Sequence, residues 1–426
     1  MEKSAYKIHI VGAGISGLIA AQVLENYGYC PTIIEASDKV GGRVKTDVVE
    51  GYNLDHGFQV LLTSYPAAKN YLDYNALELQ EFLPGATIFK NGKQQTVGDP
   101  LRSFSLLIPT LFSSIGNFSD KRKILKLNSL LKKKKITQIF KTEEITTLKY
   151  LQNFGFSEAI ISDFFKPFFS GIFLENKLET SSRMFEFVYK MFGNGLAVLP
   201  KNGIQAIAYQ LKSKLKNAAF KFNSPVKEVQ DSQIILNDNT VLKSNITIIA
   251  TDASPLISNL KNQETQWKIC DTLYFETSKR VIQKPLIGLI ADENALINNI
   301  FYHTSVATSS KGDQELLSVT VVKEHQLNDL DLILKVTEDL KSFCNIDVKK
   351  FIKHYPIKKA LPKLHNLQYE IASSETKLKS TIFLAGDHLL NGSLNAAMIS
   401  GERAAIGVIQ TLEDGLIIDE LTSEYS

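Results

Sequence analysis

The residues of this chain best suited to chemistry stand in two sets near its two ends. Gly12, Gly14 and Gly17 fall at G-x-G-x-x-G spacing, behind Ile8, Ile10 and Val11 and ahead of Leu18, Ala20, Ala21 and Leu24. That order reads as a buried parallel strand, a tight turn and a helix. The first N–H groups of such a helix lack partners within it, and with the helix dipole they can hold a pyrophosphate. Gly12 permits the turn, Gly14 lets a phosphate approach the backbone, and Gly17 lets the helix sit close to the strand; Ser16 shares the turn and joins the binding candidates. The next apolar run, Thr32-Ile33-Ile34, ends in Glu35, at the distance where an acid accepts ribose hydroxyls. An acid there argues against a 2′-phosphate. Gly41, Gly42 and Arg43 follow, two glycines and a guanidinium placed to reach a longer part of a dinucleotide. At the far end, Ile382–Ala385 reads as another buried strand, Gly386-Asp387 as a turn, and Ser393 as the start of a helix studded with small residues.

NAD and FAD share the ADP half that this pattern serves, and the Val40-Gly41-Gly42-Arg43 run tips the expectation to FAD. The spellings G-x-G-x-x-G-L-x-A-A-x-x-L, E-A-x-x-x-V-G-G-R and, near the C-terminus, A-G-D followed by I-S-G-E-R-A-A resemble the flavin-containing amine oxidase, protoporphyrinogen oxidase and carotenoid (phytoene) desaturase superfamily. The resemblance covers the whole chain. It implies an α/β fold: a Rossmann-like FAD-binding domain with an inserted α+β substrate-binding domain, the amine oxidase-like two-domain architecture. It also places Arg43 near the pyrophosphate and flavin, and a D-x-G segment with His56 and Gly57 beside the flavin ring. Val226 would meet the adenine through its backbone, a role that rests on the resemblance alone. Asp387 would accept ribityl hydroxyls or orient a water on the phosphate. The helix start at Asn395 to Met398 would aim N–H groups at the flavin edge that gains negative charge on reduction. No cysteine lies near the C-terminal motif, so the FAD is expected to be non-covalent. The spelling of the A-G-D region looks more like plant and cyanobacterial carotenoid desaturases than like amine oxidases.

The elements that must position these residues fill the rest of the 426 residues, enough for two cores. A net charge of +3 does not imply nucleic acid. Cys30, Cys270 and Cys344 have neither paired nor metal-like spacing, and no metal is expected. The first strand begins within a few residues of Met1, leaving no room for a secretory signal ahead of it, so a cytoplasmic protein is expected. The expected division is 1–64, 195–262 and 356–426 for the FAD-binding domain, with 65–194 and 263–355 for the substrate domain. Asn91-Gly92 marks a hairpin, and Leu330 to Phe343 a helix. The stretch 119–141 carries Ile124, Leu127 and Leu131 on one helical face, with Lys132 to Lys135 behind them near its end. Two readings stand for it: a solvated lysine face that suits the helix dipole, or a peripheral patch meeting anionic lipid at the inner face of the cytoplasmic membrane.

Phe164, Phe165, Phe168, Phe169 and Phe173 crowd around Pro167, first of all as core, and in this superfamily also as lining of an apolar pocket. The expectation is therefore an FAD-dependent oxidoreductase that removes a hydride from a hydrophobic small molecule, carotenoid or isoprenoid desaturase-like, with oxygen or a quinone as electron acceptor. A flavin amine oxidase or protoporphyrinogen oxidase is the alternative. His56 is the candidate proton acceptor, against a bland reading in which it only bonds locally.

Overall fold

The computed structural model describes residues 2–99, 102–106, 108, 110, 113–260, 263–414, 416, 418 and 420–423. Its first layer is a six-stranded sheet in the order Ala219–Lys221, Thr32–Ile34, Ile8–Val11, Ile246–Ile249, Ile382–Leu384, Lys377–Lys379. The first five strands run parallel and the last antiparallel. Alternation decides what covers each face. Ile8 and Ile10 join a large core with the helices Ile15–Asn26 and Leu394–Leu412, whereas Val11, Ile34 and Ile249 pack against Val229, Ile234 and Leu236 of a three-stranded sheet. The two helices meet at backbone distance: a Cβ on Gly401 would lie 2.3 Å from the Ser16 carbonyl oxygen. The small residues of the C-terminal helix therefore serve contact with the first one.

The second body is built on a seven-stranded sheet with Val348–Pro362 at one edge and Lys93–Gly98 at the other. Asn91 and Gly92, both at positive φ (51° and 68°), join Gly85–Lys90 to Lys93–Gly98 as the expected hairpin. One face of the sheet, with Leu273, Val319 and Ile300, is covered by the helix Asp329–Cys344. The other face looks toward the first body. Helices Phe118–Lys133, Ile136–Lys141, Thr147–Phe154, Lys166–Phe173 and Ser182–Asn194 enclose the aromatic cluster, in which Phe165, Phe169, Phe173, Phe185 and Phe187 are buried. A π-helical turn at Ile161–Phe165 leads into the helix that carries Phe168 and Phe169. The stretch 119–141 is two helices rather than one. The break falls at Lys134 and Lys135, where Lys134 leaves helical geometry and pairs with the buried Glu186.

One of the expected boundaries cuts through a strand. The one between 355 and 356 falls inside the strand Val348–Pro362, which stays paired with Trp267–Thr277 as far as Pro362. Pro356 and Pro362 disguise it, yet proline is admissible there because the strand is an edge. Ala197–Pro200 pairs with Leu61–Leu62, within the expected FAD-binding domain, and also with Leu79–Glu81, which joins that domain to the expected substrate domain. The boundary at 262–263 abuts residues outside the described set. Among the described residues no helix is long and apolar enough to cross a membrane.

Candidate active site

The glycine turn opens into a cavity of about 2260 Å³ that runs from the parallel strands of the first body to the aromatic helices of the second. Gly14 is the N-cap of the helix Ile15–Asn26, and no side chain caps that helix, so its leading N–H groups remain available to a ligand. Gly42 sits at φ 61°, and a Cβ there would stand 3.2 Å from the Cα of Gly14, in the throat of the turn. Glu35 is fixed from both sides. Its Oε2 accepts from the Ala13 N–H (2.7 Å), and its Oε1 accepts from the Ser37 N–H (2.9 Å) and hydroxyl (2.7 Å). Held so, the carboxylate keeps one lone-pair site, on Oε2, for a ribose. Open helix N–H groups, a turn free of side chains and a pinned acid make a cradle that fits a dinucleotide.

The two ends of the sequence meet at the next step along the cavity. The Arg43 guanidinium forms an ion pair with the buried Asp387 and lies over the Trp267 ring, 5.1 Å from its centroid. Gln59 Nε2 donates to the Arg43 carbonyl (3.0 Å). Ser400 accepts at its hydroxyl from the Gly386 N–H (2.9 Å), tying the turn before Asp387 to the C-terminal helix, and Leu394 and Ala397 of that helix's first turns line the cavity.

His56 lines the cavity and bonds locally at the same time. Its Nε2 shares a 2.7 Å hydrogen bond with Asp47 Oδ2, and its ring lies 4.3 Å from that of Tyr355. Burial would raise the Asp47 carboxyl, but hydrogen bonds from His56, Lys39 and Tyr355 outweigh it and bring it down to about 2. The neighbouring Asp55 behaves oppositely: fully buried, it is pushed up to about 6 despite bonds from Thr46 Oγ1 (2.6 Å) and the Ile204 N–H (3.0 Å).

Of the residues expected at the site, Gly12, Gly14, Ser16, Glu35, Gly42, Arg43, His56, Gly57 and Asp387 line this one cavity. The other three do not line it; the roles expected of Val226 and Met398 lie in their backbones, and the following contacts are those of their side chains. Gly17 lies against the Gly12 carbonyl, where a Cβ would come within 2.0 Å. Val226 packs onto the cluster around Val11 and Ile34, and the Met398 side chain is fully buried in the core. Helical geometry separates Met398 from its neighbour Ala397 by about 100°, enough to turn it inward. Sequence reasoning also missed Asp252, Trp267, Lys268, Lys359 and His388, all on the cavity wall. Asp252 had a signal, an acid just past the strand Ile246–Ile249; the pair Trp267-Lys268 had none. Lys268 Nζ donates to the Phe173 carbonyl (2.8 Å) and Thr180 Oγ1 (3.0 Å), and burial lowers its pKa against the pull of Glu175. Burial likewise lowers His388 and pushes the Cys270 thiol up to about 12.

A nucleotide cradle is here continuous with an aromatic chamber. The family described as flavin containing amine oxidoreductase matches residues 15–409, and the chain belongs to it. Among curated proteins, a segment of 76 residues is 43% identical to L-amino-acid oxidase of Sistrurus catenatus edwardsii, covering 18% of this chain and 15% of that protein. Another of 75 residues is 43% identical to L-amino-acid oxidase of Bungarus fasciatus, covering 17% and 14%. The matched segments thus span about a seventh of those relatives. Among solved structures the fold is similar to putrescine oxidase bound to putrescine (TM-score 0.69, 16% identity, 95% of this chain and 99% of that one). It is equally similar to a fatty acid isomerase from P. acnes that produces CLA (TM-score 0.70, 16% identity, 96% and 99%).

Proposed function

We propose that the protein removes a hydride from a long, apolar substrate, as a carotenoid or isoprenoid desaturase does. The observation that carries this reading is the cavity. Ordinary small-molecule sites occupy about 300–1,000 Å³, and the 2260 Å³ here leaves room for a large apolar molecule beside a dinucleotide. Beyond the cradle its walls include Phe58, Phe82, Phe164, Phe168, Ile172 and Phe192. Bound FAD supplies the hydride-accepting chemistry, and oxygen or a quinone takes the electrons afterwards. The chain's own work is to hold the substrate against the Arg43–Asp387 end and to exclude water. Forming a double bond also releases a proton from the adjacent carbon. His56 is proposed to take it at its ring, with the Asp47 carboxylate as countercharge. The Glu35 cradle, the uncapped helix N-terminus and the glycine turn hold the dinucleotide, while Asp387 and the first turn of the helix Leu394–Leu412 hold its far half.

The same reading includes a lipid-facing entrance. Lys121, Ile124, Leu125 and Asn128 of the helix Phe118–Lys133 line the mouth, and Phe118 (77% exposed), Leu125 (56%) and Lys132 follow one another at seven-residue intervals along one face. Apolar tips among lysines suit an anionic membrane surface. One feature favours the amine oxidase alternative: Glu175 and Glu179, both on the cavity wall, would attract a cationic amine. The test is the visible spectrum of the purified protein under anaerobic conditions, with detergent-solubilised polyenes and with a panel of amines. Bleaching of the flavin band by a polyene supports the desaturase reading. Bleaching by amines alone replaces it with the alternative.

A further inference from the structure

The seven-stranded sheet presents one row of side chains to the cavity side that the apolar walls do not explain. Tyr355 stands opposite Thr272, Thr272 opposite Thr320, Thr320 opposite Asn299, Asn299 opposite Leu289, and Leu289 opposite Ile88. Directly paired residues share a face, with Cβ atoms about 4.5–5.5 Å apart. The residues one step along, Leu273, Val319 and Ile300, point the other way, under the helix Asp329–Cys344. Three members in the middle of the row are polar and buried: Thr272 (0% exposed), Thr320 (4%) and Asn299 (2%).

Their hydrogen bonding is incomplete. Asn299 Nδ2 donates to Thr320 Oγ1 (3.2 Å), and Asn299 Oδ1 accepts from Asn298 Nδ2 (2.9 Å). Among the described residues Thr272 Oγ1 has no partner, nor has the buried Ser170 Oγ on the helix Lys166–Phe173 that lies over the row. That helix comes so close that a Cβ on Gly171 would stand 2.8 Å from Asn299 Oδ1. Asn299 and Thr320 line the cavity. A buried hydroxyl without a partner is unfavourable, and aliphatic side chains of similar shape would avoid that cost. The row is also uncharged, for the adjacent Asp271 turns to the other face and pairs with His325 and His354.

We propose that this row recognises an uncharged hydrogen-bonding group, a hydroxyl or a carbonyl, on an otherwise apolar substrate. The proposal rests on the reading that the chamber takes an apolar molecule, and it names the polar end which that molecule carries. Asn299 and Thr320 meet the group directly, and Thr272 supplies the hydroxyl beside them.

The test compares equilibrium binding of radiolabelled cis-9-octadecen-1-ol, cis-9-octadecene and oleate, delivered from the same detergent micelles to the FAD-loaded protein. Wild type should retain the alcohol most tightly. Thr320→Val and Thr272→Val, with FAD content unchanged as a check on folding, should each weaken the alcohol up to about tenfold while leaving the alkene unaffected. Equal retention of alcohol and alkene, a preference that survives both substitutions, or tighter retention of oleate overturns the proposal. Flavin bleaching by polyenes is read separately. Lost preference with intact bleaching defeats this inference alone, and intact preference without bleaching defeats the desaturase reading alone.

Discussion

Gly14 has room for a bare Cβ, the nearest atom being the Gly42 Cα at 3.9 Å, so its constraint comes from the ligand rather than from the fold. Gly14→Glu puts a carboxylate into the pyrophosphate cradle, and we expect the folded variant to lose its flavin absorbance; stoichiometric FAD in the purified variant would refute the cradle. Asp55 makes a prediction about pH. Its carboxyl is lifted from 3.8 to about 6 by burial, so the native state holds the proton more tightly than the unfolded chain. Its contribution is most favourable below about pH 4, declines as pH rises through 6, and stays low above that. Asp55→Asn keeps the acceptor for Thr46 and Ile204 and removes the ionisation. Its urea midpoint should exceed that of wild type at pH 7, with the gap closing at pH 4. A constant gap across that range would show that folding does not raise the Asp55 pKa.

At the scale of elements, the helix Phe118–Lys133 is held from within and free outside. Asn117 and Asp120 cap it reciprocally, and Leu127 and Leu131 are buried, while Phe118 and Leu125 stand in solvent. Replacing both by glutamate should leave FAD content unchanged and reduce co-sedimentation with vesicles rich in anionic lipid by several-fold. Unchanged sedimentation would remove the membrane from the proposed function. The nucleotide elements were legible in the sequence because each is local: a strand, a turn and a helix within 19 residues, from Ile8 to Asn26, fix the positions of Gly12, Gly14 and Ser16. The polar row was not, since Thr272, Thr320 and Asn299 are neighbours only through cross-strand register, which no single segment encodes. The edge strand Val348–Pro362 was hidden by its prolines. Trp267 became visible as a site residue only when the sheet brought it under Arg43.

For the molecule as a whole, the cavity joins both bodies, so cofactor binding and folding are linked. FAD present at about 100 times its Kd should stabilise the native state by about 2.7 kcal/mol relative to the stripped protein. The thermal midpoint should fall by several degrees on removal of FAD and recover on its return, and a midpoint indifferent to FAD would mean that the cradle does not bind it. The ion pair between Arg43 and Asp387 carries a further consequence, for the order of events during synthesis. Its partners lie 344 positions apart, and the strand Ile382–Leu384 enters the sheet beside Ile246–Ile249, which was made long before. The growing chain therefore carries an unfinished parallel sheet, with one open edge and an apolar helix face uncovered, until Ile382–Leu384 and Leu394–Leu412 emerge. Such a chain depends on protection from aggregation while it waits, and truncation before Thr381 should leave it insoluble rather than merely inactive.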